Sequence, residues 1–220
     1  LILRVILGNH ENYDLLEDLL EPRHLGFNIL PDFPRIEFSN RANIWIDEHT
    51  NLRFGSIGGG GSVDRNLRVE KETWWSQEEI TQNDYDNYVR LLKDKKLSTV
   101  DVFLSHEAPS GINMGRKSQA MWVTPEIVYY CDKQRMLLRD AVDMSTPGLI
   151  VHGHWHRYNN SLLEGIDFNG KPYQAKTVGL DMDSTVNNIG VFTMMGEYFA
   201  EKDNATRLLE LTFPLARKGY

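Results

Sequence analysis

Residues 5–16 read VILGNHENYDLL, and the fold is decided by how this stretch is understood. An apolar, β-branched run stops at Gly8, three side chains able to meet a metal or a phosphate follow at once (Asn9, His10, Glu11), and an amphipathic segment begins at Asn12. Leu1 to Leu7 are apolar apart from Arg4, the pattern of a strand buried on both faces of a sheet. Leu15, Leu16, Leu19 and Leu20 recur at helical spacing against Asp14, Glu17 and Asp18, and Pro22 closes the element. The stretch predicts a strand, a ligand-bearing turn and a helix.

The same arrangement returns twice. TVDVFL (99–104) is a strand-length run that passes into SHEAPSG, and GLIV (148–151) passes into HGHWH (152–156). In an α/β sheet the crevice lies beyond the carboxyl ends of the strands, so Asn9, His10, His106, His152, His154 and His156 can meet there from distant parts of the chain. Imidazole suits zinc, iron and manganese, and an Asn carbonyl oxygen adds a harder donor; a mixed set of this kind fits a catalytic ion better than a closed structural site. Gly8 and Gly153 are expected either at positive φ or where the backbone makes a close approach. His152, still inside its strand, is expected to hydrogen-bond behind the ligands. Glu11 and Glu107, each following a candidate ligand or catalytic group, are placed to orient their neighbours.

Around these tips the chain alternates strands and helices. FNIL, RIEF, NIWIDE and LRFGSIG are strand-length runs between residues 25 and 57, separated by Pro31, Pro34 and polar turns. Gly58 to Gly61 end the last of them, and SVDRNLRVEKETWWSQEE (62–79) has no period, which makes it a long loop of the kind that often carries function. In it Asp64 and Arg65, together with Arg116 further on, are candidate substrate contacts, while Trp74 and Trp75 are expected to pack the loop onto the domain. Asn83 to Lys96 reads as a helix with Tyr85, Tyr88, Leu91 and Leu92 on one face. A second helix opens with Thr124 as cap and Pro125 in its first turn and runs toward Met144. Strand-like pieces follow at 161–168, 173–180, 190–195 and 208–213. One mixed α/β domain over residues 1–220, with helices covering sheet faces, is the expected architecture.

Composition limits the function classes. With 41% hydrophobic and 25% charged residues in 220, the chain can bury an ordinary core. A net charge of -7 does not favour long nucleic acid as a partner, although a local positive site made by metal ions can still hold a phosphate. No apolar run approaches the ~20 residues that span a bilayer, so no membrane partner is expected. The single Cys131 cannot form an internal disulfide, is expected as a buried thiol on a helix, and fits a reducing, cytoplasmic setting. His24 and His49 fall at turns and are expected on the surface.

GNHE (8–11), SHEAP (105–109) and GHWH (153–156), in this order and each ending a strand, resemble motifs of the calcineurin-like metallophosphoesterases, a family of two-metal phosphoester hydrolases. The glycine run followed by SVDR and WW is similar to a bacterial and phage-like branch of that family, and the resemblance spans residues 5 to 180. It implies a four-layer α-β-β-α sandwich with two mixed sheets, and two divalent ions drawn from Mn, Fe, Zn or Mg. It further implies that Asn9, His106 and His154 bind the second metal and that His156 binds the first. His10 is implied as the catalytic residue that lies against the substrate phosphate, stabilises its charge and protonates the leaving oxygen. The substrate is a phosphoester whose type the motifs leave open, as is the oligomeric state.

Members of the family also carry an Asp-x-His and a Gly-Asp motif ahead of GNHE, which supply most ligands of the first metal and the bridging carboxylate. On that pattern Leu1 to Leu7 form the third strand, and the sequence reads as N-terminally incomplete, lacking its first strands. Asp181 and Asp183 are expected as turn formers rather than as substitute ligands. The alternative is a degenerate domain that has lost the first metal and serves as a binding or scaffolding module.

Overall fold

The computed structural model describes residues 2–114, 123–182, 185 and 188, together with the backbone of a strand pair at 191–194 and 209–212. Arg116 and Asp183 lie outside the described residues. Twelve strands and three α-helices follow in the order β1 (Leu3–Val5), α1 (Tyr13–Leu19), β2 (Glu21–Pro22), β3 (Phe27–Leu30), β4 (Phe33–Ser39), β5 (Ala42–Ile46), β6 (Arg53–Ile57), α2 (Gln82–Asp94), β7 (Val102–Ser105), α3 (Pro125–Ser145), β8 (Leu149–His152), β9 (Asn159–Ile166), β10 (Pro172–Gly179), β11 (Val191–Met194) and β12 (Leu209–Thr212), counted among the described residues.

Two mixed sheets carry the fold. The first has the order β1-β4-β3-β2, with β1 parallel to β4 and the other pairs antiparallel. The second has the order β5-β6-β7-β8-β10-β9; β6, β7, β8 and β10 run parallel, and β5 and β9 flank them antiparallel. Strands β11 and β12 form a separate antiparallel pair. The architecture is the mixed α/β sandwich that the motif pattern predicts.

Each helix starts where its sequence provides a cap. The Asn12 side chain accepts from the N–H of Leu15 at 2.9 Å and opens α1, while the Asp84 carboxylate accepts from the N–H and hydroxyl of Thr81 at 2.7 and 2.8 Å and opens α2. Thr124 caps α3 with Pro125 in the first turn, where a missing N–H costs nothing. Helices α2 and α3 cover one face of the larger sheet: Tyr88 meets Phe103 edge-on at 5.6 Å, and Ile44, Ile57, Leu138 and Ile150 fill the same core. On its other face Trp45 stacks on Phe54 at 5.1 Å and takes the edge of Phe27 from the smaller sheet at 5.1 Å. The hydroxyls of Ser39 and Ser56 join the two sheets through a buried hydrogen bond of 3.1 Å. Cys131 is buried on α3 and its thiol donates to the carbonyl of Gly61.

One expectation fails here. Strand β1 is not buried on both faces: Ile2 and Leu3 are 50% and 57% exposed, because among the described residues β1 pairs only with β4 and leaves its other edge open. Among the described residues no helix is long and apolar enough to cross a membrane.

The parallel strands align the site. Because β6, β7 and β8 run side by side in one direction, their ends deliver Gly58, His106 and Gly153 to one edge. The N–H of Gly153 donates to the carbonyl of His106 at 3.0 Å. Strand β1 arrives at that edge from the other sheet, with the carbonyl of its following residue Leu7 accepting from the N–H of Gly59 at 2.8 Å.

Candidate metal centre

The turn after β1 is closed by its own residues. The Glu11 carboxylate accepts from the N–H groups of Gly8 and His10 at 2.9 and 3.0 Å, and the Tyr13 hydroxyl donates to the carbonyl of Gly8 at 2.7 Å. Gly8 is needed for space: a Cβ there would lie 2.8 Å from the His106 ring. Gly153 differs from expectation. It has neither positive φ nor a close neighbour, since a Cβ on it would sit 3.9 Å from the His106 ring. The left-handed backbone falls instead on His154 (φ 65°) and His156 (φ 51°). Such a conformation costs a non-glycine residue on the order of 1 kcal/mol or more and tends to persist where it aims a functional side chain.

Three donor atoms converge. Asn9 Oδ1 lies 2.8 Å from His106 Nε2 and 3.2 Å from His154 Nδ1, and the two ring nitrogens are 3.2 Å apart. Neighbouring ligands around a divalent ion with bonds of about 2.1 Å are separated by roughly 3 Å in an octahedral site and slightly more in a tetrahedral one. The triangle matches that spacing. Two ring nitrogens and a carbonyl oxygen facing one another also have more lone pairs than protons, an arrangement that a cation satisfies. Among the described residues no group of three or more His, Cys, Asp or Glu side chains could hold a metal ion. The cluster owes its third donor to the Asn9 amide.

Electrostatics keep the cluster in its ligating form. Burial, followed by the neighbouring His154, pushes the His106 imidazole down to about 4, so its ring is neutral at pH 7. The fully buried Glu107 faces His154 Nε2 at 3.3 Å, while its other oxygen accepts from the Trp155 indole N–H at 2.6 Å and from the N–H of Ala108 at 2.8 Å. A carboxylate on that side favours a proton on Nε2, the tautomer that would leave Nδ1 as a donor atom toward Asn9 and His106. His152, by contrast, stays in the core. It is 1% exposed, its Nδ1 lies 3.2 Å from the carbonyl of Gly153, and burial lowers its pKa. The expected support of the ligands by His152 is not seen.

His10 and His156 stand apart from the triangle. His10 is exposed, and the Arg68 guanidinium lies against its ring, with Nη2 2.8 Å from Nδ1 and 3.2 Å from Nε2. Partial burial of the ring and then the Arg68 charge lower the His10 pKa. His156 is itself exposed.

Ser62, the first residue of SVDR, belongs to the site, as do Arg68 and Glu78, which neither period nor motif marks. Arg68 donates to Asp64 at 3.0 Å, approaches the carbonyl of Asn9 at 3.3 Å and lies 3.6 Å from the fully buried Glu78 carboxylate. Burial raises the Glu78 carboxyl, and the Ser62 hydroxyl, the Trp75 N–H and Arg68 pull it back. Of the residues singled out in this loop, Asp64 serves Arg68. Arg65 pairs with Glu79 and lies over the rings of Trp74 and Tyr130, away from His10. Trp74 and Trp75 are buried and pack the loop. Asp181 caps the N–H of Met182 in a turn, and His24 and His49 are exposed.

The family model for calcineurin-like phosphoesterases matches residues 2–158, well over half of the chain. The chain belongs to the calcineurin-like phosphoesterase family. The matched region includes all three ligand-bearing tips of this phosphoesterase domain. No curated protein matches it. Among solved structures it is similar to a Staphylococcus aureus protein described as a candidate 5'-nucleotidase and crystallised with alpha-ketoglutarate. The two are 11% identical with a TM-score of 0.34, and the match covers 66% of this phosphoesterase chain and 30% of that one. The chain thus spans under a third of that protein's length.

Proposed function

We propose that this chain hydrolyses a phosphoester with the help of two divalent metal ions. Family membership supports phosphoester hydrolysis in general. The observation that carries the finer reading is the triangle of Asn9 Oδ1, His106 Nε2 and His154 Nδ1, with edges of 2.8 to 3.2 Å. Asn9, His106 and His154 would hold one ion, and His156 would contribute to the other. When bound, the ions, of which Mn, Fe, Zn and Mg suit this donor set, supply a lowered water pKa and a clamp on phosphoryl oxygens.

The protein's own groups do the rest. His10, with the Arg68 guanidinium against its ring, would donate a proton to a phosphoryl or leaving oxygen at the rim. Arg68 adds a fixed positive charge and a second set of donors beside that ring. The Glu107 carboxylate would favour the His154 tautomer that binds through Nδ1, and Gly8 and Gly60 leave room for the imidazoles.

The test is hydrolysis of p-nitrophenyl phosphate and bis(p-nitrophenyl) phosphate by the intact protein, with Mn2+ added after chelation. Activity that needs the ion and is lost in His106→Ala and His154→Ala supports the reading. Activity that survives both substitutions refutes it. A protein that binds Mn2+ through these residues yet hydrolyses neither compound would be the binding module instead.

A further inference from the structure

An asparagine amide offers an oxygen at one end and an NH2 group at the other, in nearly the same shape, and only the oxygen can bind a cation. Nothing in the Asn9–His106–His154 triangle itself selects the oxygen, because a ring nitrogen could equally accept from an NH2 group. The selection must come from behind Asn9. There, Asn9 Nδ2 donates to Ser62 Oγ at 2.8 Å, and Ser62 Oγ donates to Glu78 Oε2 at 2.8 Å. All three side chains are buried, Asn9 at 2% exposure, Ser62 at 1% and Glu78 at 0%.

We infer that Glu78 and Ser62 are positioning residues that set the polarity of Asn9 and so point its oxygen at the metal. The inference rests on the proposed role of Asn9 as a ligand. A carboxylate can only accept, and the Ser62 hydroxyl has one proton, so once that proton goes to Glu78 the hydroxyl oxygen can only accept from Asn9. The donor end of the amide must then face Ser62, and the oxygen must face His106 and His154. Glu78 is itself held the right way round: its Oε1 accepts from the N–H of Trp75 at 3.2 Å and faces Arg68 at 3.6 Å. The backbone adds a further tie, since the N–H of Gly60 donates to the carbonyl of Glu78 at 3.0 Å. The direction of one amide is thus passed along a chain of single-proton choices from a buried charge.

Glu78→Gln tests this with almost no change of shape. The Trp75 N–H and Arg68 demand an acceptor at the Oε1 position, so the new NH2 group falls opposite Ser62. The hydroxyl must then accept from it and donate to Asn9, which turns the amide over. Ser62→Ala removes the link altogether. The readout is the Mn2+ dissociation constant of the intact protein, measured by equilibrium dialysis, with a thermal melt of each variant to establish that it is folded.

Supporting outcomes are Mn2+ binding weakened about 10- to 100-fold in both variants, with Asn9→Ala at least as weak. The cost of Ser62→Ala should also largely vanish when combined with Asn9→Asp, because a carboxylate presents oxygen whichever way it turns. That rescue separates polarity from a general structural effect. If Asn9→Ala weakens binding but Glu78→Gln does not, the inference is overturned while the metal reading stands. A loss on Ser62→Ala that persists undiminished with Asn9→Asp overturns it too. If Asn9→Ala binds Mn2+ as tightly as the parent, the metal reading itself fails and takes the inference with it. Glu78→Gln keeps the test decisive even where Ser62→Ala does not fold.

Discussion

Asn9 Oδ1 and His106 Nε2 are 97 residues apart in the chain and 2.8 Å apart in space, one at the end of a strand in the smaller sheet and the other at the end of a strand in the larger. The contact ties the two sheets at the point where their strand ends meet, and His154 closes the triangle. The three atoms bring more lone pairs than protons to one point, an arrangement that a cation would satisfy.

Metal removal should therefore be felt by the fold. Chelation of the purified protein is expected to lower its melting temperature, and Mn2+ at about 100 times its dissociation constant should return about 2.7 kcal/mol of stability. Scanning calorimetry with and without the ion checks this, and identical melts would contradict it.

Removing a ligand should cost more than removing its support. His154→Ala is expected to lower kcat/KM by about 100-fold or more. Glu107→Gln, which keeps the ring and loses only the charge facing Nε2 at 3.3 Å, should weaken Mn2+ binding by about 10- to 100-fold. Dialysis and initial-rate measurements on both variants give the ranking.

Arg68→Lys should not rescue what Arg68→Ala loses. The guanidinium reaches His10, Asp64 and the carbonyl of Asn9 at once, and an ammonium cannot span those partners. A fall in kcat of about tenfold or more is expected in both variants, read from initial rates at saturating Mn2+.

Two glycines next to the same ring should differ. In Gly8→Ala the new methyl group would lie 2.8 Å from the His106 ring, and in Gly60→Ala it would lie 3.4 Å away. The first is expected to displace the imidazole, costing about 1–3 kcal/mol and weakening metal binding, and the second to be tolerated. Urea melts and Mn2+ titrations of the two proteins test the contrast.

Phe103 is fully buried against Tyr88, so Phe103→Ala should cost about 3–5 kcal/mol in urea unfolding. It should do so without altering the metal affinity of the protein that remains folded.

Much of this was legible from the chain alone, because the signals are local. The apolar runs ending at Gly8, Leu104 and Val151, the cap at Asn12 and the Thr124–Pro125 start all depend on residues within a turn of one another, and they appear in the structure close to where they were expected. Asn9, His106 and His154 could be grouped because each follows such a run, and parallel strands bring their ends to one edge. The exposure of Ile2 and Leu3 could not be read in this way, since an apolar run does not say how many neighbours its strand will have.

The supporting parts of the site were decided by tertiary structure. Ser62, Arg68 and Glu78 lie in an aperiodic loop, where composition pointed to Asp64 and Arg65; which guanidinium reaches His10 depends on how that loop packs over β1 and not on its order of residues. The left-handed backbone falls on His154 and His156 and not on the glycine before them, a choice of local conformation that the sequence did not mark. Sequence by itself determined the elements and the strand tips that carry the candidate ligands, whose causes are short-range. Only the packed structure decided which end of Asn9, which nitrogen of His154 and which arginine face the site, because those choices are made by hydrogen-bond partners far away in the chain.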